Sequence, residues 1–359
     1  GVNTLVVALV LLLIFLVINL LGVEIFGSIQ LAVVLILMLG TAGLGVFGLL
    51  DIGTINPAVV SEFNPFGWPT VFQALAMGLW LFIGIEYVIP LGDEVKKPEK
   101  TIPKAMICGL LTIFVVDMLF GFALTRHMDL ATLSASATPQ IDGAIAIFGN
   151  MGGMIMSVLT LLAAVSTINA SFAAVPRMFY GLARQGLLPK AFKYIHPKFR
   201  TPSFGIIFVF LLFSLPLFIL ESTITVFTTL LLSASVTWLI TYIIAQVNVL
   251  ILRKRYPNIE RPFKAPFTPV IQIIGIAFCV YMIVTIHPDP TMKGTIYTVA
   301  FSLLLCIAAY AFIWLKYKKL PLFTPIALED MRQLKVDSES PVENLKTEVI
   351  SVAASEKGW

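Results

Sequence analysis

The sequence predicts an all-α polytopic membrane protein with nine transmembrane helices, and three observations carry that reading. Hydrophobic residues make up 58% of the 359 residues and charged residues 12%, with a mean hydropathy of +0.95. Soluble domains run at about 45–50% apolar and about 25% charged, so this composition points to lipid as the main solvent. The apolar residues also fall into long stretches, and about 17–25 of them cross the hydrocarbon as a helix. Finally, Lys and Arg collect on alternate loops between those stretches. The composition excludes a disordered chain, a nucleic-acid binder and a disulfide scaffold. Cys108, Cys279 and Cys306 lie far apart in apolar surroundings and read as small membrane hydrophobes.

In chain order the expected spans are roughly 2–20, 29–50, 70–91, 103–125, 150–175, 203–220, 224–250, 269–287 and 294–315. Helices are expected because open strand edges and irregular loops cannot satisfy their amides in lipid. Span three is followed by Lys96, Lys97, Lys100 and Lys104. Span five is followed by Arg177, Arg184, Lys190, Lys193, Lys198 and Arg200, and span seven by Arg253, Lys254, Arg255, Arg261 and Lys264. Lys316, Lys318 and Lys319 follow span nine, and Arg332, Lys335, Lys346 and Lys357 lie in the far tail. Of the 24 basic residues, only Arg126 and Lys293 fall on the opposite loops. Basic residues gather on the cytoplasmic side, which puts the first residue outside and the C-terminus inside a plasma or bacterial inner membrane. The chain opens on Gly1, within an apolar run and without a basic n-region. This is not the pattern of a signal peptide, and the expectation is that an odd number of helices precedes it.

The third span carries the most informative irregularities. It runs Gly78-Leu79-Trp80-Leu81-Phe82-Ile83-Gly84-Ile85-Glu86-Tyr87-Val88-Ile89-Pro90, with two glycines, a proline and a carboxylate. Glycine lets the chain leave helical geometry and proline cannot close the helical hydrogen bond. A broken helix exposes backbone N–H and C=O groups at membrane depth, where they can hold a substrate carboxylate. The same residues also suit a plain kink or a packing position. Glu86 must face protein or water; it reads either as a proton-coupling group or as a structural acid bonded to neighbouring helices. Trp80 reads as a gate or as packing. Asp117, inside the fourth span, must also face protein.

The fifth span is rich in small and hydroxylated residues, Ser166-Thr167-Ile168-Asn169-Ala170-Ser171. Ser166, Thr167 and Asn169 are candidate ion or substrate contacts, for a cation such as Na⁺, or hydrogen-bonding groups in a close helix contact. His127, His196 and His287 show no metal spacing, and no phosphate-cradling loop is present. No cofactor, metal or ATP-driven chemistry is expected, and the chain does not read as an enzyme. The external stretch 126–149 reads as partly helical, and 181–202 as a short helix, a turn and a restart. Residues 320–359 read as a partly disordered cytoplasmic tail attached to a transmembrane domain over 1–319.

Three motifs in order resemble the amino acid–polyamine–organocation permeases. They are Gly78 to Glu86 followed by Glu94-Val95-Lys96-Lys97-Pro98-Glu99-Lys100-Thr101-Ile102-Pro103, where Lys97 replaces the family's Asn; Pro176-Arg177-Met178-Phe179-Tyr180-Gly181-Leu182-Ala183-Arg184-Gln185-Gly186-Leu187-Leu188-Pro189 with Thr201-Pro202; and Asn19-Leu20-Leu21-Gly22 with Gln30. The resemblance implies an inverted-repeat (LeuT-like) transporter fold of twelve helices, with the nine spans here as the fourth to the twelfth. It implies alternating-access transport of an amino acid or related amine, coupled to H⁺ or to substrate exchange, with Na⁺-coupled symport as the alternative. It puts Ile83, Gly84 and Ile85 at the substrate, Trp80 at an aromatic gate, Glu86 at the family's acidic position and Ser166 and Thr167 in the region where sodium-dependent relatives bind an ion. An intramembrane enzyme would need a pair such as Glu86 with Asp117; a channel or scaffold would leave the broken third span unexplained.

Overall fold

The computed structural model of the chain describes residues 4–56, 58, 64, 67–220 and 223–319. The tail expected over 320–359 lies outside these residues. Among them the structure is helical throughout, without a strand. The helices are α1 (Thr4–Leu21), α2 (Val23–Leu49), α3 (Gly67–Leu79), α4 (Pro98–His127), α5 (Leu130–Ala135), α6 (Pro139–Arg184), α7 (Ser203–Ile219), α8 (Ile224–Arg255), α9 (Val270–Val284) and α10 (Pro290–Tyr317). Five apolar helices are long enough to cross a membrane, and four shorter apolar segments, Leu5–Leu21, Met77–Gly92, Ser203–Ile219 and Val270–Val284, fall in the remaining expected spans. Their outer faces are apolar too: Leu39 is 73% exposed, Phe227 67% and Ile313 66%, as suits helices that meet lipid rather than water.

Three apolar clusters hold the helices together. Leu12 and Phe15 of α1 meet Phe172 of α6 and Ile206 and Val209 of α7. Leu44 of α2, Phe120 of α4 and Ala144, Met156 and Leu159 of α6 form the second. Leu232, Val236 and Leu239 of α8 join Cys279 and Met282 of α9 and Ile296 and Ala300 of α10 in the third. Helix contacts in lipid lack a hydrophobic drive between helices, so close packing carries them. α2 accordingly presents Gly45 to the α4 backbone, where an added Cβ would lie 2.8 Å from the Leu119 carbonyl carbon and from the Phe120 nitrogen.

The 46-residue α6 spans more than the expected fifth span because its first turns are a separate helix joined at a kink. Gly149 sits there at φ 66°, ψ −159°, a backbone region essentially confined to glycine. The kink leaves the preceding carbonyls without helical partners, and the loop after α2 supplies them. Ile55 N–H donates to Ile147 O at 2.8 Å and Asn56 Nδ2 to Ala146 O at 2.7 Å. With α5, this helix makes the 126–149 stretch mostly helical, as expected.

The same end of the bundle explains one basic exception. Arg126 forms a two-pronged pair with Asp51, at 3.1 and 2.6 Å. Hydrogen bonding from that guanidinium holds the Asp51 carboxyl below the usual carboxylate range. Both side chains are exposed, so the pair adds little stability. The other exception, Lys293, turns its ammonium to Val284 O at 3.1 Å.

At the opposite end, the basic segment after α6 follows the expected plan. α6 runs through Pro176 to Arg184, a 3₁₀ turn covers Lys190–Lys193, and α7 begins at Ser203. Phe192 is packed edge-on among Phe179, Phe204 and Phe208, which pins that turn beneath α6 and α7. Lys97 adopts φ 51°, ψ 58° just before α4, a left-handed conformation uncommon for a non-glycine residue.

Candidate functional site

The third span is broken where its sequence suggested. α3 ends at Leu79, a 3₁₀ turn covers Trp80–Phe82, and a 3₁₀ segment runs from Ile85 to Glu94 through Pro90. Between the two, Ile83 is extended (φ −72°, ψ 140°) and Gly84 is left-handed (φ 106°, ψ −9°). A Cβ on Gly84 would meet nothing within 4 Å, so the backbone angle, not crowding, calls for glycine. Gly84→Ala is therefore expected to strain the break by about 1–2 kcal/mol, read as a loss of thermal stability. A wild-type melting temperature in that variant would mean that the backbone angle at Gly84 costs an alanine nothing.

The segment after the break is tied to helices on different sides. Glu86 reaches α8, where Trp238 Nε1–H donates to its Oε1 and the Tyr242 hydroxyl donates to its Oε2 at 3.1 Å. Gly84 N–H donates to the same Oε2 at 3.2 Å, closing the carboxylate over the break itself. The same 3₁₀ segment also packs against α6. One short segment thus fastens the interrupted span to α8 by hydrogen bonds and packs it against α6. Trp80 is half-buried at the start of the break, and Ile83 N–H donates back to its carbonyl at 3.3 Å.

Trp238 and Tyr242 were not singled out from the sequence. Their spacing held the signal: a Trp and a Tyr at i and i+4 share one helix face, and their N–H and O–H tips need partners when they are buried.

Ser166 and Asn169 belong to a different cluster. Gln30 Nε2 of α2 donates to Ser166 Oγ at 2.6 Å, Asn169 Nδ2 donates to Gln30 Oε1 at 3.2 Å, and Asn19 Nδ2 of α1 donates to Asn169 Oδ1 at 3.2 Å. Asn169 is 1% exposed, so this chain of amides locks α1, α2 and α6 at their contact. Thr167 lies on the exposed side of α6, and its hydroxyl donates to Ala163 O of its own turn at 3.0 Å. Asp117 is half-buried and is not brought to Glu86 by any hydrogen bond or ion pair among the described residues. No group of three or more potential metal-ligating side chains forms among the described residues.

The described residues are helical with several apolar spans, one of them interrupted, as in a multi-pass membrane protein. The chain belongs to the amino acid permease family, whose pattern it matches over residues 1–316. Its relatives include the methylthioribose transporter of Bacillus subtilis, 28% identical over 249 residues that cover 66% of this chain and 50% of the relative. The serine/threonine exchanger SteT of Bacillus subtilis is 30% identical over 274 residues, 73% of this chain and 59% of the relative. The branched-chain amino acid permease BcaP of Bacillus subtilis is 29% identical over 248 residues, 65% of this chain and 49% of the relative. The chain spans about half the length of the curated relatives it matches.

Proposed function

We propose that the whole protein carries amino acids or related amines across a cell membrane by alternating access, driven by H⁺ or by exchange against a second substrate. The observation that supports this most is the break at Ile83–Gly84, which interrupts a membrane span and is held in place by hydrogen bonds from α8 to Glu86. In this reading Ile83, Gly84 and Ile85 present backbone groups to the substrate, and Trp80 forms the aromatic wall beside it. Glu86 acts as the structural acid that holds the break against α8. The three donors around its carboxylate support that role over proton coupling.

Ser166 and Asn169 act as the lock between α1, α2 and α6 rather than as ion ligands, because the oxygens of both already accept from neighbouring amides. Thr167 then has no part in binding. Na⁺-coupled symport is the rival, and it needs those oxygens released from the lock. The basic loops support a cytoplasmic C-terminus.

The test is uptake of radiolabelled amino acids, methylthioribose and polyamines into proteoliposomes holding the whole protein, with proton, sodium or counter-substrate gradients imposed in turn. Saturable uptake of an amino acid or related amine, driven by a proton or counter-substrate gradient, is expected. Uptake that follows only the sodium gradient would favour the rival. No gradient-driven uptake by folded protein would overturn the proposal.

A further inference from the structure

We infer that His127 is a proton-binding site that works a latch at the end of the bundle opposite the basic loops. Its doubly protonated ring fastens the loop after α2 to α4 and α6, and loss of one proton lets that loop go. The inference does not depend on what the protein carries. His127 is the last residue of α4, and its side chain is fully buried. Its Nε2 lies 2.9 Å from Gly48 O, near the end of α2, and its Nδ1 lies 3.1 Å from Asn56 O, in the loop beyond. Both partners are backbone carbonyls, which only accept.

A neutral imidazole has one N–H and one bare nitrogen, so it donates to one of these oxygens and turns a lone pair on the other. The imidazolium donates to both. A buried ring cannot trade the missing bond for water, so the neutral form leaves a polar group unsatisfied. His196 shows the opposite arrangement. Its Nδ1 accepts from the backbone N–H groups of Lys198 and Phe199, both at 3.3 Å, which suits a neutral ring.

Charge supports the cation at His127. Asp51 Oδ1 lies 3.4 Å from its Nε2. Hydrogen bonding from Arg126 holds the Asp51 carboxyl below the usual carboxylate range, so Asp51 stays ionised while an imidazole titrates. Arg126 is a cation at the same corner, but its guanidinium is paired with Asp51. Among the described residues, the acids on the neighbouring elements are Asp129 before α5 and Asp142 of α6, and they bond to Thr132 and Ser136.

The latch reaches three helices. Gly48 belongs to α2 and His127 to α4, and the loop goes on to the kink of α6, where Ile55 N–H donates to Ile147 O and Asn56 Nδ2 to Ala146 O. An imidazole changes charge between about pH 5 and 8. The bond that needs the second proton is present at the acid end of that range and lost as pH rises through it. Acid on that side therefore ties α2, α4 and α6 together, and alkali loosens them.

The experiment follows the whole protein in detergent from about pH 5 to about pH 8. Nitrogen NMR of ¹⁵N-histidine-labelled protein reads the ring directly, the His127 signal being the one absent from His127→Gln. It is expected to show two protonated nitrogens at the acid end and one at the alkaline end. Hydrogen exchange of the amides over 50–56, corrected for the pH dependence of an unstructured chain, should rise about tenfold between the two ends. His127→Gln cannot titrate and should flatten that profile. Asp51→Asn should move both transitions to lower pH, because the ring loses the charge that favours its cation. A plain packing role for His127 predicts no such move. If His127→Gln fails to fold, the displacement caused by Asp51→Asn makes the assignment. A ring in one protonation state throughout, a wild-type exchange profile that is already flat, or transitions unmoved by Asp51→Asn would each overturn the inference.

Discussion

Glu86→Ala is expected to remove most transport at every pH from about 5 to 8, rather than to shift its pH profile. The carboxylate accepts from Trp238 Nε1, from the Tyr242 hydroxyl and from Gly84 N–H. Hydrogen bonds to a charged group contribute about 1.5–3 kcal/mol each, and a donor left without an acceptor costs about 1–3 kcal/mol. Alanine strands both α8 donors and the N–H at the break, so the 3₁₀ segment loses its tie to α8. Uptake should fall by at least about tenfold, the effect of some 1.4 kcal/mol at the site, with a lower melting temperature in detergent.

Glu86→Gln should sit between, because its amide keeps one accepting oxygen. Trp238→Phe and Tyr242→Phe should each reproduce part of the loss, and combining either with Glu86→Ala should add less than the sum of the two effects. Proteoliposome uptake against pH decides the matter. Glu86→Gln with wild-type stability and only a displaced pH profile would make Glu86 a titrating coupling group; full activity at all pH values would take it out of the mechanism.

Asn169→Leu is the second large effect. Leucine keeps the branched, four-heavy-atom shape of asparagine but can neither accept from Asn19 nor donate to Gln30. Asn19 keeps its bond to Phe15 O at 3.0 Å, whereas Gln30 Oε1 loses the donor shown for it. The cost is expected at about 1–3 kcal/mol, at the lower end if lipid-facing partners compensate. It should appear as a loss of thermal stability and of expressed folded protein, with the preference among substrates unchanged. Asn169→Gln would not restore the bond lengths and should be nearly as damaging. A variant with wild-type melting temperature but weakened sodium dependence of uptake would reverse this and make Asn169 an ion ligand.

These two residues also show how far the chain can be read before folding. Asn169 and Glu86 both stand out in the sequence for one reason: a polar group in an apolar span must find a partner. Sequence alone does not say which partner. Asn169 meets Asn19, 150 positions away, and Glu86 meets Trp238, 152 positions away. Helix periodicity gives the face that a residue occupies, but it carries no information on which helix that face meets. For Glu86 the choice between a proton carrier and a structural acid depended on that missing neighbour. Thr167 makes the same point in reverse. It stands beside Ser166 in the sequence, yet one step of the helix turns it to the exposed side.

The features legible along the chain are those that local and additive physics controls. Apolar composition and stretch length set an all-helical membrane protein, since lipid leaves backbone amides no other partners. Gly84 and Pro90 set the break, because backbone angle and a missing N–H act within a few residues. The tertiary structure alone decided what holds the break in place, which small residues meet across α2 and α4, and that both ring nitrogens of His127 meet backbone carbonyls, of Gly48 and Asn56. Those outcomes depend on pairs of residues far apart in the chain, whose meeting is fixed by the packing of whole helices rather than by any pattern along one of them.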